Sequence, residues 1–242
     1  MVQTDAWVLA QHSVCYPYRM DRQVIRDAAT VILVRNIKNV PHVLMGQRGR
    51  NAVFMPNKYV FPGGAVDSGD KDIPLAAPLN PDSIRKLTVE ATAELANAAP
   101  ITAIRELFEE TGQVFGRKAA WPQPPEDWHQ FAQLGFVPDA APLSFFFRAI
   151  TPPGRPRRFD ARFFLADASA LATDPDDFSM ASDELSHLQW ISLDETKNFD
   201  LPFITQVVVA EVSQHLREGR ENVTGVPFFS SDEGDMFSRW IT

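Results

Sequence analysis

Three glutamates crowd the end of one segment, Arg105-Glu106-Leu107-Phe108-Glu109-Glu110-Thr111-Gly112, and this crowding constrains the fold more than any other feature of the chain. On a helix, positions i and i+4 share a face and i+3 lies beside it. Glu106 and Glu110 therefore point the same way, with Glu109 next to them. Like charges at that spacing destabilise a helix unless water, an arginine or a cation offsets them. A lone Glu-Glu pair reads best as a solvated acidic face. Two features reverse that reading here. Arg105 adjoins the acids, and Phe61-Pro62-Gly63-Gly64 upstream reads as a strand running into a tight turn. Clustered hard carboxylate oxygens suit Mg²⁺ or Mn²⁺, which also bind phosphate oxygens and lower the pKa of a bound water.

Composition narrows the partners. The chain has 242 residues, 45% of them hydrophobic, which suits one sizeable globular domain with embellishments. Its formal net charge of −8 argues against a nucleic-acid-binding surface, whereas a small phosphate-bearing substrate stays compatible through bound cations. No run of about 18 apolar residues is present, so no membrane span is expected. The N-terminus has no basic stretch ahead of an apolar one and does not read as a secretory signal. The single cysteine, Cys15, excludes an intrachain disulfide and a Cys-rich zinc site, which fits a reducing cytoplasmic setting. No local motif supports Cys15 as a nucleophile. The five histidines, His12, His42, His129, His187 and His215, lack metal-ligand spacing.

Residues 1–26 show no strong period and read as an N-terminal extension to a domain over 27–242. Asp27 to Val34 and Val40 to Gln47 read as a strand hairpin across the polar segment from Asn36 to Asn39. Tyr59-Val60-Phe61 is a short strand. Asn80-Pro81-Asp82 opens a helix, with a capping Asn, Pro at the first position and an acid in the first turn. That helix is expected to reach about Asn97, with Pro100 separating it from a second helix over Ile101 to Thr111. Gly112 suits the residue just past a helix end. A short helix follows over Glu126 to Leu134. Strands are expected over Leu143 to Ile150, Arg158 to Ala166 and Leu188 to Ile191, and a helix over Pro202 to Leu216. The run Phe145-Phe146-Phe147 reads as buried strand rather than a stacking platform.

The segment from Arg105 to Gly112 resembles the second half of the Nudix signature: Gly, five residues, Glu, seven residues, Arg-Glu, an aliphatic residue, any residue, Glu-Glu, any residue, Gly, and a final aliphatic residue. Gly64 matches the opening Gly. Three departures stand out. Gly64 and Arg105 lie 41 positions apart, about 27 more than the signature spacing, so the box falls into two parts, 64–70 and 98–114, around a helical insertion of about 72–98. Counting from Gly64 puts Asp70 where Glu is expected. Gln113 replaces the final aliphatic residue. The resemblance implies an α/β fold, a Nudix-type α/β/α sandwich around a mixed β-sheet.

The same resemblance implies roles. Glu106, Glu109 and Glu110, with the Gly64 carbonyl, would hold Mg²⁺ or Mn²⁺. Arg105 would orient Glu106, and Asp70 would support the site. Glu184 is the candidate general base, with Asp183 as fallback. Arg48, Arg50 and Arg162 are candidate substrate-phosphate ligands, since Arg makes bidentate charge-assisted bonds; solvation or a structural role is the alternative for each. The implied reaction is hydrolysis of a diphosphate bond in a nucleoside diphosphate linked to another moiety. Phe54-Met55-Pro56, Tyr59 to Asp67 and Arg158 to Leu165 resemble the branch related to a peroxisomal coenzyme A diphosphatase, so coenzyme A or an acyl-coenzyme A is one expected substrate. ADP-ribose, NADH or nucleoside triphosphates are the alternatives, and a non-catalytic Nudix-fold ligand-binding or regulatory module is a third. Ile84, Leu87, Ala91 and Leu95 form an apolar stripe in the insertion. Packing on its own domain is the default; a homodimer contact and a lid over the site are alternatives.

Overall fold

The computed structural model describes residues 24–219, 225–232 and 235–242. The expected N-terminal extension, with His12 and Cys15, lies outside the described residues up to position 23. From there the first strand, β1 (Ile25–Ile37), already begins. It is followed by β2 (Val40–Arg48), β3 (Tyr59–Val60), β4 (Gly63–Ala65), α1 (Pro81–Leu87) and α2 (Ala93–Thr111). Then come β5 (Gly116–Lys118), α3 (His129–Gln133), β6 (Phe136–Pro138), β7 (Ser144–Ile150) and β8 (Arg158–Asp167). The chain closes with β9 (Leu185–Ser192), α4 (Phe203–Glu218), β10 (Val226–Asp232) and β11 (Asp235–Ile241).

The main sheet is mixed, in the order β11-β10-β7-β8-β1-β2-β3, with β4 paired to β1 and β9 to β2. β1 runs parallel to β8, with Ala29 opposite Arg162 and Val31 opposite Phe164. The β1–β2 hairpin turns through Lys38 and Asn39, both at positive φ (52° and 66°), a turn whose twist matches that of its strands. On β1 the side chains alternate between two cores. Ala29, Val31 and Leu33 join α2 and α3 in one, and Ile32 and Val34 join α4 residues Val208 and Val212 in the other. This period of two is what makes an α/β/α sandwich. β1 leaves β2 toward its N-terminal end, pairing with β4 at 28–30 and with β2 only at 34–37. That divergence admits the Pro62-Gly63-Gly64 turn between the strands.

The two helices of the insertion differ from expectation. α1 starts as read, with Asn80 accepting from Ser83 N at 2.8 Å and Pro81 at the first position. It stops at Leu87 rather than reaching Asn97. α2 then begins at Ala93, capped by Thr92, and runs straight through Pro100. A proline inside a helix removes one backbone hydrogen bond and strains the preceding turn. Nearly every residue of α2 from Leu95 onward is buried, so tertiary packing outweighs that local cost. The stripe residues Leu87 and Leu95 are core members, with Ile84 and Ala91 packed against them. Two further pairs escaped the sequence reading: the β5–β6 ribbon, only three residues per strand, and the β10–β11 hairpin at the sheet edge. Among the described residues no helix is long and apolar enough to cross a membrane.

Candidate active site

β4 and the last two turns of α2 carry the site, and Arg105 is its hub. Arg105 is 6% exposed, and all five of its N–H donors are used. Nε donates to Asp70 Oδ1 at 3.0 Å, and Nη2 to Asp70 Oδ2 and to the Ala65 carbonyl, both at 3.1 Å. Nη1 donates to Glu106 Oε1 at 2.9 Å and to Glu109 Oε2 at 3.3 Å. Burial works against the Arg105 charge, but the Asp70 hydrogen bonds and the surrounding carboxylates more than offset it, so its pKa lies above the ordinary value. Asp70, itself buried, thus sits on Arg105 across the whole insertion. Its shorter side chain is held by two further donors, Thr102 Oγ1 at 2.6 Å and Asp67 N at 3.0 Å.

The glutamates are perturbed in a graded way. Burial pushes Glu106 up to about 7 despite the neighbouring Arg105, while Glu109 and Glu184 add repulsion. Burial also raises Glu109, with Arg105 opposing. Glu110 is raised well above the usual carboxylate range, first by burial and then by the charge of Glu106. The Gly63 N–H donates to Glu110 Oε2 at 2.7 Å, but Oε1 is buried with no hydrogen-bond partner. Gly64 is required by close approach: a Cβ there would collide with the Glu106 carboxylate.

These facts bear on a cation. Two adjacent buried carboxylates, one with an unsatisfied oxygen, are stable only if protonated or paired with positive charge. The donors are hard oxygens, which fit Mg²⁺ or Mn²⁺. The three glutamates do not, however, converge: Glu106 and Glu109 lean on Arg105, and among the described residues no three His, Cys, Asp or Glu side chains form a metal-holding group.

The other sequence candidates divide. Arg48, at the end of β2, donates to Glu184 Oε1 at 3.1 Å, and the charges of both act on Glu110. The structure therefore brings Arg48 and Glu184 to the acid cluster. Arg50 is exposed in the turn after β2, and Asp183 is exposed beside Glu184. Arg162 is elsewhere. It is 1% exposed, with its guanidinium on Asp27 at 2.8 Å and Asp160 at 3.2 Å, so the expectation that it meets substrate phosphate gives way to a buried structural ion pair. Sequence reasoning missed Thr102 and Asp67. Thr102 sits one turn before Arg105 on the same face, a spacing that could have revealed it.

The chain is thus a mixed-sheet α/β sandwich with buried carboxylates gathered at a glycine turn. No family model matches the chain. A Caenorhabditis elegans protein provisionally named nudix hydrolase 7 is 33% identical over 179 residues, covering 69% of this chain and 51% of that one. The chain thus spans about half the length of that relative. The crystal structure of a NUDIX hydrolase from Alicyclobacillus acidocaldarius shares 27% identity, covers 78% of this chain and 91% of its own, and superposes with a TM-score of 0.60. The chain belongs to the Nudix hydrolase family.

Proposed function

We propose that the chain is a metal-dependent diphosphatase that hydrolyses a nucleoside diphosphate linked to another moiety, with coenzyme A or an acyl-coenzyme A as the first candidates. The observation that carries this reading is the partnerless buried oxygen of Glu110 beside the buried carboxylate of Glu106. Glu106 and Glu110, with Glu109 and the Gly64 carbonyl, would hold Mg²⁺ or Mn²⁺. When bound, such a cation polarises phosphoryl oxygens and makes water a better nucleophile.

The chain's own residues supply the rest. Arg105, fixed by Asp70, keeps Glu106 on Gly64 and neutralises part of the cluster. Arg48 offers its guanidinium to a phosphate oxygen in exchange for Glu184, and Arg50 lies farther out along the same turn. Glu184, released from that pair, accepts the proton of the attacking water at its carboxylate. Coenzyme A is favoured among substrates by the resemblance of Phe54-Met55-Pro56, Tyr59 to Asp67 and Arg158 to Leu165 to the coenzyme A diphosphatase branch.

The test is product analysis by mass spectrometry. The protein is incubated with Mg²⁺ or Mn²⁺ and coenzyme A, an acyl-coenzyme A, ADP-ribose, NADH or nucleoside triphosphates, with EDTA controls. EDTA-sensitive release of 4′-phosphopantetheine (or its acyl form) and 3′,5′-ADP is the expected result. Selective cleavage of another member keeps the chemistry and replaces the substrate. Folded, metal-loaded protein that cleaves none of them overturns the proposal.

A further inference from the structure

Gln113 stands where the signature has an aliphatic residue. It is fully buried (0% exposed), yet its amide is saturated. Nε2 donates to the carbonyls of Asp174 and Asp177 at 3.1 and 2.8 Å, and Oε1 accepts from the Thr173 hydroxyl at 2.8 Å. The amide orientation is forced, since two carbonyls can only accept and the NH₂ group must face them. Other ties bind the same segment to the end of α2. Ala172 N donates to the Val114 carbonyl at 2.8 Å, and Ser182 N to the Glu109 carbonyl at 2.9 Å. Met180 packs over Gly112, whose φ of 75° ends the helix.

Two residues beyond Ser182 comes Glu184. Its side chain is 55% exposed and its ion-pair partner is Arg48. A substrate phosphate competes for that same arginine. Once Arg48 is taken, the position of Glu184 depends on its backbone, and the irregular segment before it is held by the partners of its backbone groups together with the Arg35–Asp176 ion pair and the packing of Phe178. Gln113 provides two of them from a water-free place, where a lost hydrogen bond is costly.

We propose that Gln113 is a positioning residue: it clamps residues 173–184 to the end of α2 and thereby sets Glu184 beside the Glu106–Glu110 carboxylates. This rests on the proposed hydrolysis, with Glu184 as its proton acceptor. An aliphatic residue at 113 would fill the space but leave the Asp177 carbonyl without a donor and the Asp174 carbonyl with the Asp177 N–H alone.

The test combines Gln113→Leu with Glu184→Gln, read by amide hydrogen exchange and by steady-state kinetics in the full chain. Gln113→Leu is expected to speed exchange at Asp177, Ala181 and Ser182 by about 10-fold while the α2 amides are unchanged. It should lower kcat by about 10-fold with KM nearly constant, the scale on which supporting partners of a site act. In the Glu184→Gln background the same change should cost less than about two-fold, because both act through one group. Unaltered exchange, or an equal fall of kcat in both backgrounds, overturns the proposal. If the leucine variant does not fold, Thr173→Val, which removes the hydroxyl that donates to Gln113 Oε1 and accepts from Val114 N at the same tie, carries the same readouts at about three-fold amplitude. Faster exchange in a chain that shows no turnover supports the clamp and sinks the hydrolytic reading instead.

Discussion

The molecule holds two buried ionic knots, and they are built from the same parts to different ends. In one, Arg105 meets Asp70, Glu106 and Glu109, with Glu110 close by. In the other, Arg148 and Arg162 meet at Asp160, and Arg162 reaches on to Asp27. Arg148 also donates to the Val89 carbonyl at 2.8 Å and lies over the Phe228 ring, so it fastens the insertion to the sheet. The second knot balances two guanidiniums against two carboxylates. The first sets the Arg105 guanidinium against five carboxylates, Asp67 at 3.4 Å among them, and its spare oxygen faces no donor. Burial of charge does not by itself mark a working site. Imbalance does, because it stores a demand for an ion of the missing sign.

The largest effect that could break this comparison comes from Glu110→Gln. Turnover should fall by about 10³-fold, the scale of losing a whole catalytic group, while the melting temperature holds or rises because a buried charge is gone. Wild-type turnover by the folded variant would show that the imbalance is not functional. Next is the balanced knot. Asp160→Asn should cost about 3–5 kcal/mol of stability by leaving buried Arg148 without a carboxylate and Arg162 with Asp27 alone. Turnover per folded molecule should barely change; denaturant melts paired with active-site titration would show whether the two effects separate as stated.

Thr102→Val sharpens the contrast, because it loosens Asp70 without touching a charge. We expect a loss of about 1–2 kcal/mol and a kcat lower by about 10-fold, with Thr102→Ser restoring both. An inert Thr102→Val would mean that Asp70 needs only Arg105.

The smallest effect is in pH. Burial raises Glu106 to about 7 from its ordinary 4.5, and Glu110 also rises. Between those limits the folded chain holds more protons than the unfolded one, so the contribution of these groups to stability falls as pH rises through the window. A cation that replaces the protons reverses this. Mn²⁺ should therefore raise Tm by about 3 °C more at pH 8 than at pH 6 relative to EDTA, and Glu106→Gln should shrink the difference. Equal gains at both pH values would count against the carboxylates as the metal ligands.

Much of this was readable in the residues. The hairpin of β1 and β2, the cap at Asn80 and the helix-ending Gly112 are local chemistry, and each appears where the sequence places it. Pro100 misled because its local penalty is small beside the burial of α2, which no single-residue preference reveals. Within the site, Glu106 and Glu110 follow from helical spacing, and Asp70 from counting along the signature. For Arg162 the structural alternative holds over the phosphate ligand, and the residues alone could not choose, because an arginine on a strand looks alike whether it faces a ligand or two aspartates. Thr102 and Gln113 act through contacts with residues far along the chain, Asp70 on one side and Asp174 and Asp177 on the other. Helical spacing to Arg105 offers a trace of Thr102, whereas nothing in the patterning points from Gln113 to Asp174 and Asp177.

The contact between Asp70 and Arg105 has a consequence for how such a chain can change. The two halves of the box are aligned by a bidentate ion pair and not by the number of residues between them. Length added or lost between Asp70 and α2, roughly from Lys71 to Thr92, need not disturb the pairing geometry, and the entropic cost of a longer connection grows only logarithmically. The exposed turns of the intervening stretch can change length or acquire new duties while the carboxylate ladder keeps its phase, so long as Ile73, Leu79 and Leu87 keep their places in the core.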